Sequence, residues 1–220
     1  MKILAFDTST QQCSVAIQNN DKVLSHSLEG THRHAEQLLP LIQTLLDKSK
    51  LALSQLDLIA FTRGPGSFTG LRIGASLVQS LACVHNIPVA AISTLQCIAQ
   101  HAYLRYGVPD AAVALDARMQ QVYWCTYRLN NAQIMIQSSD ESLINPEQIS
   151  LNERYSCGAG SGWKEYADSL DKISPFVAQR YPDITPDANA LLSLARYQYD
   201  KNLTINAQDA LPIYLRDKVC

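Results

Sequence analysis

ILAFDTSTQQCSVAIQ, residues 3–18, runs from an apolar stretch through Asp7 and a polar turn into a second, roughly alternating stretch. That order reads as strand, turn, strand. AAVALDARMQQVYWCTYRL, residues 111–129, repeats it. With Asp7 aligned on Asp116, the pairs Gln11-Gln12 and Gln120-Gln121 fall at the same offsets. A unit that recurs at this distance predicts a duplicated α/β fold. The expected halves are residues 1–105 and 106–220, joined at the linker Tyr106-Gly107-Val108-Pro109-Asp110.

Working outward, KVLSHSL (22–28) is a third strand, and HAEQLLPLIQTLLDKSK (34–50) carries apolar residues at helical spacing. Pro40 inside it predicts a kink or a late helix start. LDLIAF (56–61) and PVAAIS (88–93) read as buried strands. Helices follow over 70–86 and 94–105, giving βββαβαβα. The second half is less regular: strands at 132–138 and around 155–157, helices from Trp163 and over 187–201, and a strand-like end, LPIYLRDKV.

The 220 residues are 47% hydrophobic and 17% charged, an ordinary globular composition, with a net charge of −2. A chain that grips nucleic acid alone carries a basic face, because phosphate neutralisation supplies most of the affinity. No run of Lys or Arg exists here, so nucleic-acid binding by this chain alone is not expected. No segment has the length of a secretory signal or a membrane span, so the expected location is the cytoplasm, away from any membrane. The six cysteines are scattered without a CxxC pair. They read as reduced thiols filling core space rather than a disulfide framework or zinc site.

GPGSFTGLRIG (64–74) places four glycines between a strand and a helix. It is not a P-loop, since Leu71-Arg72 stands where Lys-Ser/Thr is needed. It also misses the dinucleotide fingerprint, both in its third glycine and in the acid that should follow. Anion binding at the helix start stays open. The plainer reading is packing: Gly70 and Gly74 let a neighbouring backbone come close. The helix carries two apolar stripes, Leu71, Ala75, Val78 and Ala82 beside Leu77, Leu81 and Val84, where a surface helix needs one. The preceding helix is similarly over-supplied through Leu38, Leu39, Leu41, Ile42, Leu45 and Leu46, which predicts a second cover from another chain.

Asp7-Thr8-Ser9-Thr10 has the acid and hydroxyls of the turns that embrace phosphates in the actin-like ATPase and sugar-kinase (ASKHA) architecture, and Asp116 sits at the equivalent point. Gly158-Ala159-Gly160-Ser161-Gly162 is a candidate adenosine-pocket wall. Against this, Asp116-Ala117-Arg118-Met119 lacks the glycine and hydroxyls of a working turn, so vestigial turns are favoured. Thr31-His32-Arg33-His34-Ala35-Glu36 looks like a metal or acid–base cluster. Histidines two apart nevertheless point to different sides of a helix, and no third ligand follows. No Ser/His/Asp or Cys/His arrangement stands out.

Five segments together resemble the TsaB (YeaZ) family: ILAFDTST with CSVAI, RHAEQLLPLI, GPGSFTGLRIG, ALDARMQQVYW and the terminal P-x-YLRD. The resemblance implies the duplicated ASKHA fold and a non-catalytic partner of TsaD. TsaD transfers threonylcarbamoyl to N6 of an adenosine in tRNAs reading codons that begin with A. It implies no metal and no cofactor in this chain, leaving Asp7, Thr8 and Asp116 as remnants of a phosphate site. TsaD holds its metal on paired histidines, and TLQCIAQHA (94–102) has no such pair. The implied partners are a TsaD-like protein, a TsaE-like ATPase through the complex, and a second copy when the chain is alone, with tRNA met only indirectly. The implied interface lies on helices 34–48 and 70–85, through Leu38, Leu41, Ile42, Leu45, Gly70, Leu71, Gly74, Ala75, Leu77 and Val78. An active phosphotransferase of this fold and a metallopeptidase are the disfavoured alternatives.

Overall fold

The computed structural model describes residues 1–28 and 34–216 and divides into two compact units. Unit 1 comprises 1–94 with 186–213, and unit 2 comprises 95–185 with the end of the chain.

Unit 1 is a five-stranded sheet: β1 (Lys2–Asp7), β2 (Cys13–Asn19), β3 (Lys22–Leu28), β4 (Leu58–Gly64) and β5 (Val89–Ser93), in the order β3-β2-β1-β4-β5. The first three strands form an antiparallel meander, while β4 and β5 run parallel to β1. Asn20 makes the β2–β3 turn with φ 53°, a left-handed position that asparagine tolerates well. Central β1 is apolar on both faces and buried after Lys2, as a strand covered on two sides must be. Strand β3, exposed along nearly its whole length, is the sheet edge.

Three helices cover this sheet: α1 (His34–Ser49), α2 (Phe68–His85) and, much later in the chain, a helix over Ala188–Asp200. Leu38, Ile42, Leu45 and Leu46 of α1 join Ala75, Val78 and Ala82 of α2 in one core with Leu4, Phe6, Ile59 and Phe61. Ile3 and Ala5, on the opposite face of β1 by strand alternation, are fully buried where the Ala188–Asp200 helix crosses the sheet. The segment after that helix pairs Ile205 with Val89 and so shields the β5 edge. Pro40 lies inside an unbroken α1, and Thr44 Oγ1 donates to its carbonyl at 2.9 Å.

Unit 2 repeats the plan. After α3 (Thr94–Tyr106) come β6 (Asp110–Asp116), β7 (Val122–Leu129), β8 (Met135–Gln137), β9 (Ser142–Ile144), β10 (Tyr155–Ala159) and β11 (Val177–Tyr181). The order is β11-β10-β6-β7-β8, with β9 also on β7. Strands β6, β7 and β8 form the antiparallel meander, and β10 and β11 run parallel alongside β6, matching unit 1 strand for strand. Asp7 ends β1 and Asp116 ends β6, the equivalent places that the repeat predicts. Two one-turn helices, α4 (Gly162–Glu165) and α5 (Ala167–Leu170), stand where one helix from Trp163 was expected. The helix over Ala188–Asp200 is α6.

Three expectations need correction. The units do not divide at 105/106. From Leu95 onward α3 packs through Leu95, Ile98, Ala99 and Ala102 into the unit 2 core, and α6 returns to unit 1. Helical periodicity marks an apolar face but not the sheet it will cover, so a linear division of the chain misses the exchange. Strands β9 and β11, of three and five residues, are too short to stand out, and β11 alternates only weakly. Residues 211–216 form no strand. They are held instead by Ile213 N–H donating to Arg63 O at 2.7 Å and by contacts of Arg216.

Gly70, in the first turn of α2, tests the packing directly. A Cβ there would lie 1.9 Å from the Thr8 carbonyl oxygen. In an exposed helix Gly→Ala stabilises by about 0.5–1 kcal/mol. Here Gly70→Ala should lower stability by about 3 kcal/mol, because the clash is with backbone and cannot be turned aside. Urea unfolding should show a lower midpoint at an unchanged slope. A neutral or stabilising result would mean that α2 does not sit on this turn.

Candidate functional site

The residues with phosphate-site character converge at the start of α2. Asp7 ends β1 and points its carboxyl into the protein. Its Oδ1 accepts from Ser9 N–H (3.0 Å), Ser9 Oγ (2.5 Å) and Thr62 Oγ1 on β4 (2.5 Å). Its Oδ2 is buried without a partner. Burial is the largest influence on this carboxyl and pushes its pKa up. The Ser9 and Thr62 hydrogen bonds pull the other way, and nearby Asp187 adds to the rise. Asp7 is therefore a shielded acid rather than a ready ligand for a cation.

Thr8 and Ser9 are equally enclosed, each only 1% exposed. Thr8 Oγ1 donates to Gly70 O at 2.8 Å, and Ser67 N–H donates to Ser9 O at 2.8 Å. Ser67 also caps α2, accepting from Gly70 N–H at 3.4 Å. Glycine is required for this contact. A Cβ on Gly66 would lie 2.4 Å from Ser9 O, and one on Gly74 would lie 2.6 Å from Thr8 Oγ1. Thus the glycine-rich stretch seats the helix on the β1–β2 turn of its own chain. Of the two roles expected of Gly70 and Gly74, packing and an inter-protein contact, the close approach seen is the packing one, against Thr8.

The second turn is open but occupied. Asp116 Oδ1 accepts from Arg118 N–H and Tyr166 OH, both at 2.8 Å, and Oδ2 pairs with the Arg118 guanidinium at 3.3 Å. Burial, together with the bond to Asp116, pushes the Tyr166 hydroxyl up to about 12. Gly158, Gly160 and Gly162 are packed by their own unit: added Cβ atoms would meet the Trp163 ring at 2.4 Å, Ala114 O at 2.6 Å and Ala114 Cβ at 2.9 Å. Trp163 donates from Nε1 to Ala112 O at 2.9 Å. An aromatic ring thus packs against the first glycine of the expected adenosine wall.

The expected interface residues divide by burial. Leu38, Ile42, Leu45, Gly70, Leu71, Gly74, Ala75 and Val78 are buried within unit 1, and Leu38 also lines the floor of the groove between α1 and α2. The stripe Leu71, Ala75, Val78, Ala82 faces the sheet. Leu41, Leu77 and Leu81 pack only partly, and Val84 is exposed. Between α1 and α2 lies a groove of about 580 Å³, lined among others by Leu39, Phe68, Ile73, Leu77, Ser76 and Ser80. Arg72 crosses it with its guanidinium 3.8 Å above the Phe68 ring. Leu39 is 51% exposed. Helical spacing identified the second apolar stripe on α2, but not which stripe the sheet takes.

His32 lies outside the described residues, as does the side chain of His34. Among the described residues no group of three His, Cys, Asp or Glu side chains could hold a metal ion, and no helix is long and apolar enough to cross a membrane. Cys13, Cys97, Cys125 and Cys157 are buried free thiols, as expected of core fillers, but Cys83 is exposed. Burial pushes Cys13 and Cys157 up to about 12 and Cys125 up to about 11, which removes them as nucleophiles.

A raised Asp7 fixes the sign of a pH effect. Below the ordinary value of about 3.9 the carboxyl is protonated in both folded and unfolded chains. As pH rises past it, the unfolded chain releases the proton while the folded one keeps it, so this group's contribution to stability falls. Asp7→Asn keeps an acceptor for Ser9 and Thr62 and cannot ionise. The stability of Asp7→Asn relative to the original chain should therefore increase from pH 4 to pH 8. Asp7→Ala should cost at least about 2 kcal/mol, through donors left without an acceptor. A difference between Asp7→Asn and the original chain that is flat with pH would show an ordinary carboxylate.

The protein-family model for TsaD, tRNA N6-adenosine threonylcarbamoyltransferase, matches residues 25–214. The tRNA threonylcarbamoyladenosine biosynthesis protein TsaB of Escherichia coli (strain K12) is 34% identical to the chain, over all of this chain and 96% of the relative. TsaB of Haemophilus influenzae is also 34% identical, over all of this chain and 95% of its own length. The solved structure of YeaZ from Pseudomonas aeruginosa is 38% identical over 97% of this chain and 99% of its own, with a TM-score of 0.87. End-to-end identity at this level, carried on one shared backbone, means that the chain belongs to the TsaB (YeaZ) family.

Proposed function

We propose that the chain is a non-catalytic partner of a TsaD-like transferase, required with it and a TsaE-like ATPase to place threonylcarbamoyl on N6 of a tRNA adenosine in the cytoplasm. The sealed Asp7–Thr8–Ser9 turn carries this reading. A phosphate turn works by offering donors and a metal-binding carboxylate to a ligand. Here the hydroxyls bond within the chain, the helix start is capped by its own serine, and Asp7 is buried with a raised pKa. The same geometry disfavours a phosphotransferase. The absence of a three-ligand cluster among the described residues gives a metallopeptidase no support.

A protein without its own chemistry acts through surfaces. The α1/α2 groove, apolar at its rim and crossed by one arginine, suits a helical face of a TsaD-like protein, or of a second copy when the chain is alone. The net charge of −2 leaves tRNA mainly to the partners. The chain alone should bind labelled tRNA no better than the non-specific range of about 10⁻⁴–10⁻⁶ M.

Leu39→Glu and Leu77→Glu place a carboxylate in the groove while leaving the core stripe intact. Ala75→Glu, only 5% exposed, would strike the core instead. Circular dichroism should show both groove variants folded. Burying an unpaired charge costs several kcal/mol, so each should weaken homodimer and TsaD pairing at least about a hundredfold. Threonylcarbamoyl transfer reconstituted from purified components should depend on the original chain and fail with either variant. Full transfer without the chain, or ATP turnover by the isolated chain, would overturn the reading.

A further inference from the structure

Among the described residues that line the α1/α2 groove, Arg72 is the only charged side chain. The other lining residues are apolar, such as Leu39, Phe68, Ile73 and Leu77, or small and hydroxylated. Ser80 Oγ donates to Ser76 O at 2.8 Å within the helix, so this hydroxyl can be covered without losing its hydrogen bond. Leu39, Ile73, Leu77 and Ser80 therefore need only contact from whatever lies on them.

Arg72 needs more. It is exposed and stands one turn after Phe68 on α2, with its guanidinium 3.8 Å above that ring. Stacking engages the face of a guanidinium, whereas its five N–H donors radiate in its plane, where a carboxylate accepts from two of them at once. The Phe68 ring thus steadies the fork in the groove and leaves its charge in place. Covering the groove takes that charge out of water, which is costly unless an acid meets it.

Charge then separates the two occupants of the groove. A second copy that pairs through the same face brings another Arg72 and the same lining. That lining adds a second guanidinium and, from the described residues, no carboxylate. The acid closest to it in sequence, Glu36, stands in the first turn of α1 and outside the lining. A different protein is free of this symmetry and can set a carboxylate opposite the fork.

We propose that Arg72 selects the occupant of the groove. It favours a helical face of another protein that carries a carboxylate, and it penalises a second copy of this chain. One side chain thereby keeps self-pairing weak enough for the heterologous partner to replace it. That this partner is the TsaD-like transferase rests on the proposed function.

The test compares Arg72→Met, which keeps length and removes charge, with Arg72→Lys and Glu36→Gln, each first shown folded by circular dichroism. Homodimer dissociation is measured by analytical ultracentrifugation, and the purified TsaD-like protein of the same organism is titrated against each variant. Arg72→Met should tighten the homodimer about tenfold and weaken TsaD pairing at least about tenfold. A damaged α2 would weaken both, so the opposite signs separate selection from structure. Arg72→Lys should keep both within about threefold of the original chain, and Glu36→Gln should leave the homodimer within about twofold. A homodimer that Arg72→Met weakens or leaves unchanged would overturn the proposal, as would TsaD pairing that survives it. So would a homodimer weakened tenfold by Glu36→Gln, because the second copy would then supply the acid. If the original chain does not pair with the TsaD-like protein, the proposed function falls, and the homodimer of Arg72→Met still decides whether Arg72 opposes self-pairing.

Discussion

The contact on which unit 1 depends is the seating of the α2 N-terminus on the turn after β1. Three glycines, at 66, 70 and 74, remove the Cβ atoms that would hold helix and turn apart, and the Thr8 and Ser67 hydrogen bonds then close across the gap. This seating directs Leu71, Ala75, Val78 and Ala82 toward the sheet and leaves Phe68, Arg72, Ile73 and Leu77 along the groove. It also encloses Asp7, whose carboxyl is left with three donors on one oxygen and none on the other. Core, outer groove and shielded acid thus follow from one close approach of backbones.

The two units show how one plan can serve different ends. Each has an antiparallel meander flanked by two parallel strands and an aspartate at the end of its first strand. In unit 1 that aspartate is buried under a long helix. In unit 2 the following helices are single turns, and Asp116 stays near the surface, where it organises Arg118 and Tyr166. The difference lies in what covers the turn. A long helix with glycines at its start can be laid flat on a turn, whereas α4 begins at Gly162 against Ala114 and leaves the neighbouring turn open.

Much of this was legible in the residues. The recurrence of an aspartate and a Gln pair between apolar runs predicted the duplication, because strand and turn patterns are local and repeat with the fold. The two apolar stripes of α2 were visible as helical spacing, as was the excess on α1. What stayed hidden depends on long-range packing. Nothing in the spacing of α3 or α6 says which sheet each will cover. Gly70 and Gly74 read as permissive for some close approach, yet only the fold identifies Thr8 as the neighbour. Thr62 as a partner of Asp7 and Arg216 as a clamp on the second turn come from positions 55 and about a hundred residues away, beyond any periodic signal.

The central claim is that the Asp7 turn is closed to ligands and the chain works through its surfaces. Carbon-13 NMR of the Asp7 side-chain carboxyl, followed across pH with and without magnesium ATP, tests it most directly. The account predicts a carboxyl that keeps its proton above the ordinary carboxylate range of about 4 and a titration that the nucleotide leaves unchanged. An Asp7 that ionises in the ordinary range and shifts when magnesium ATP is added would contradict it.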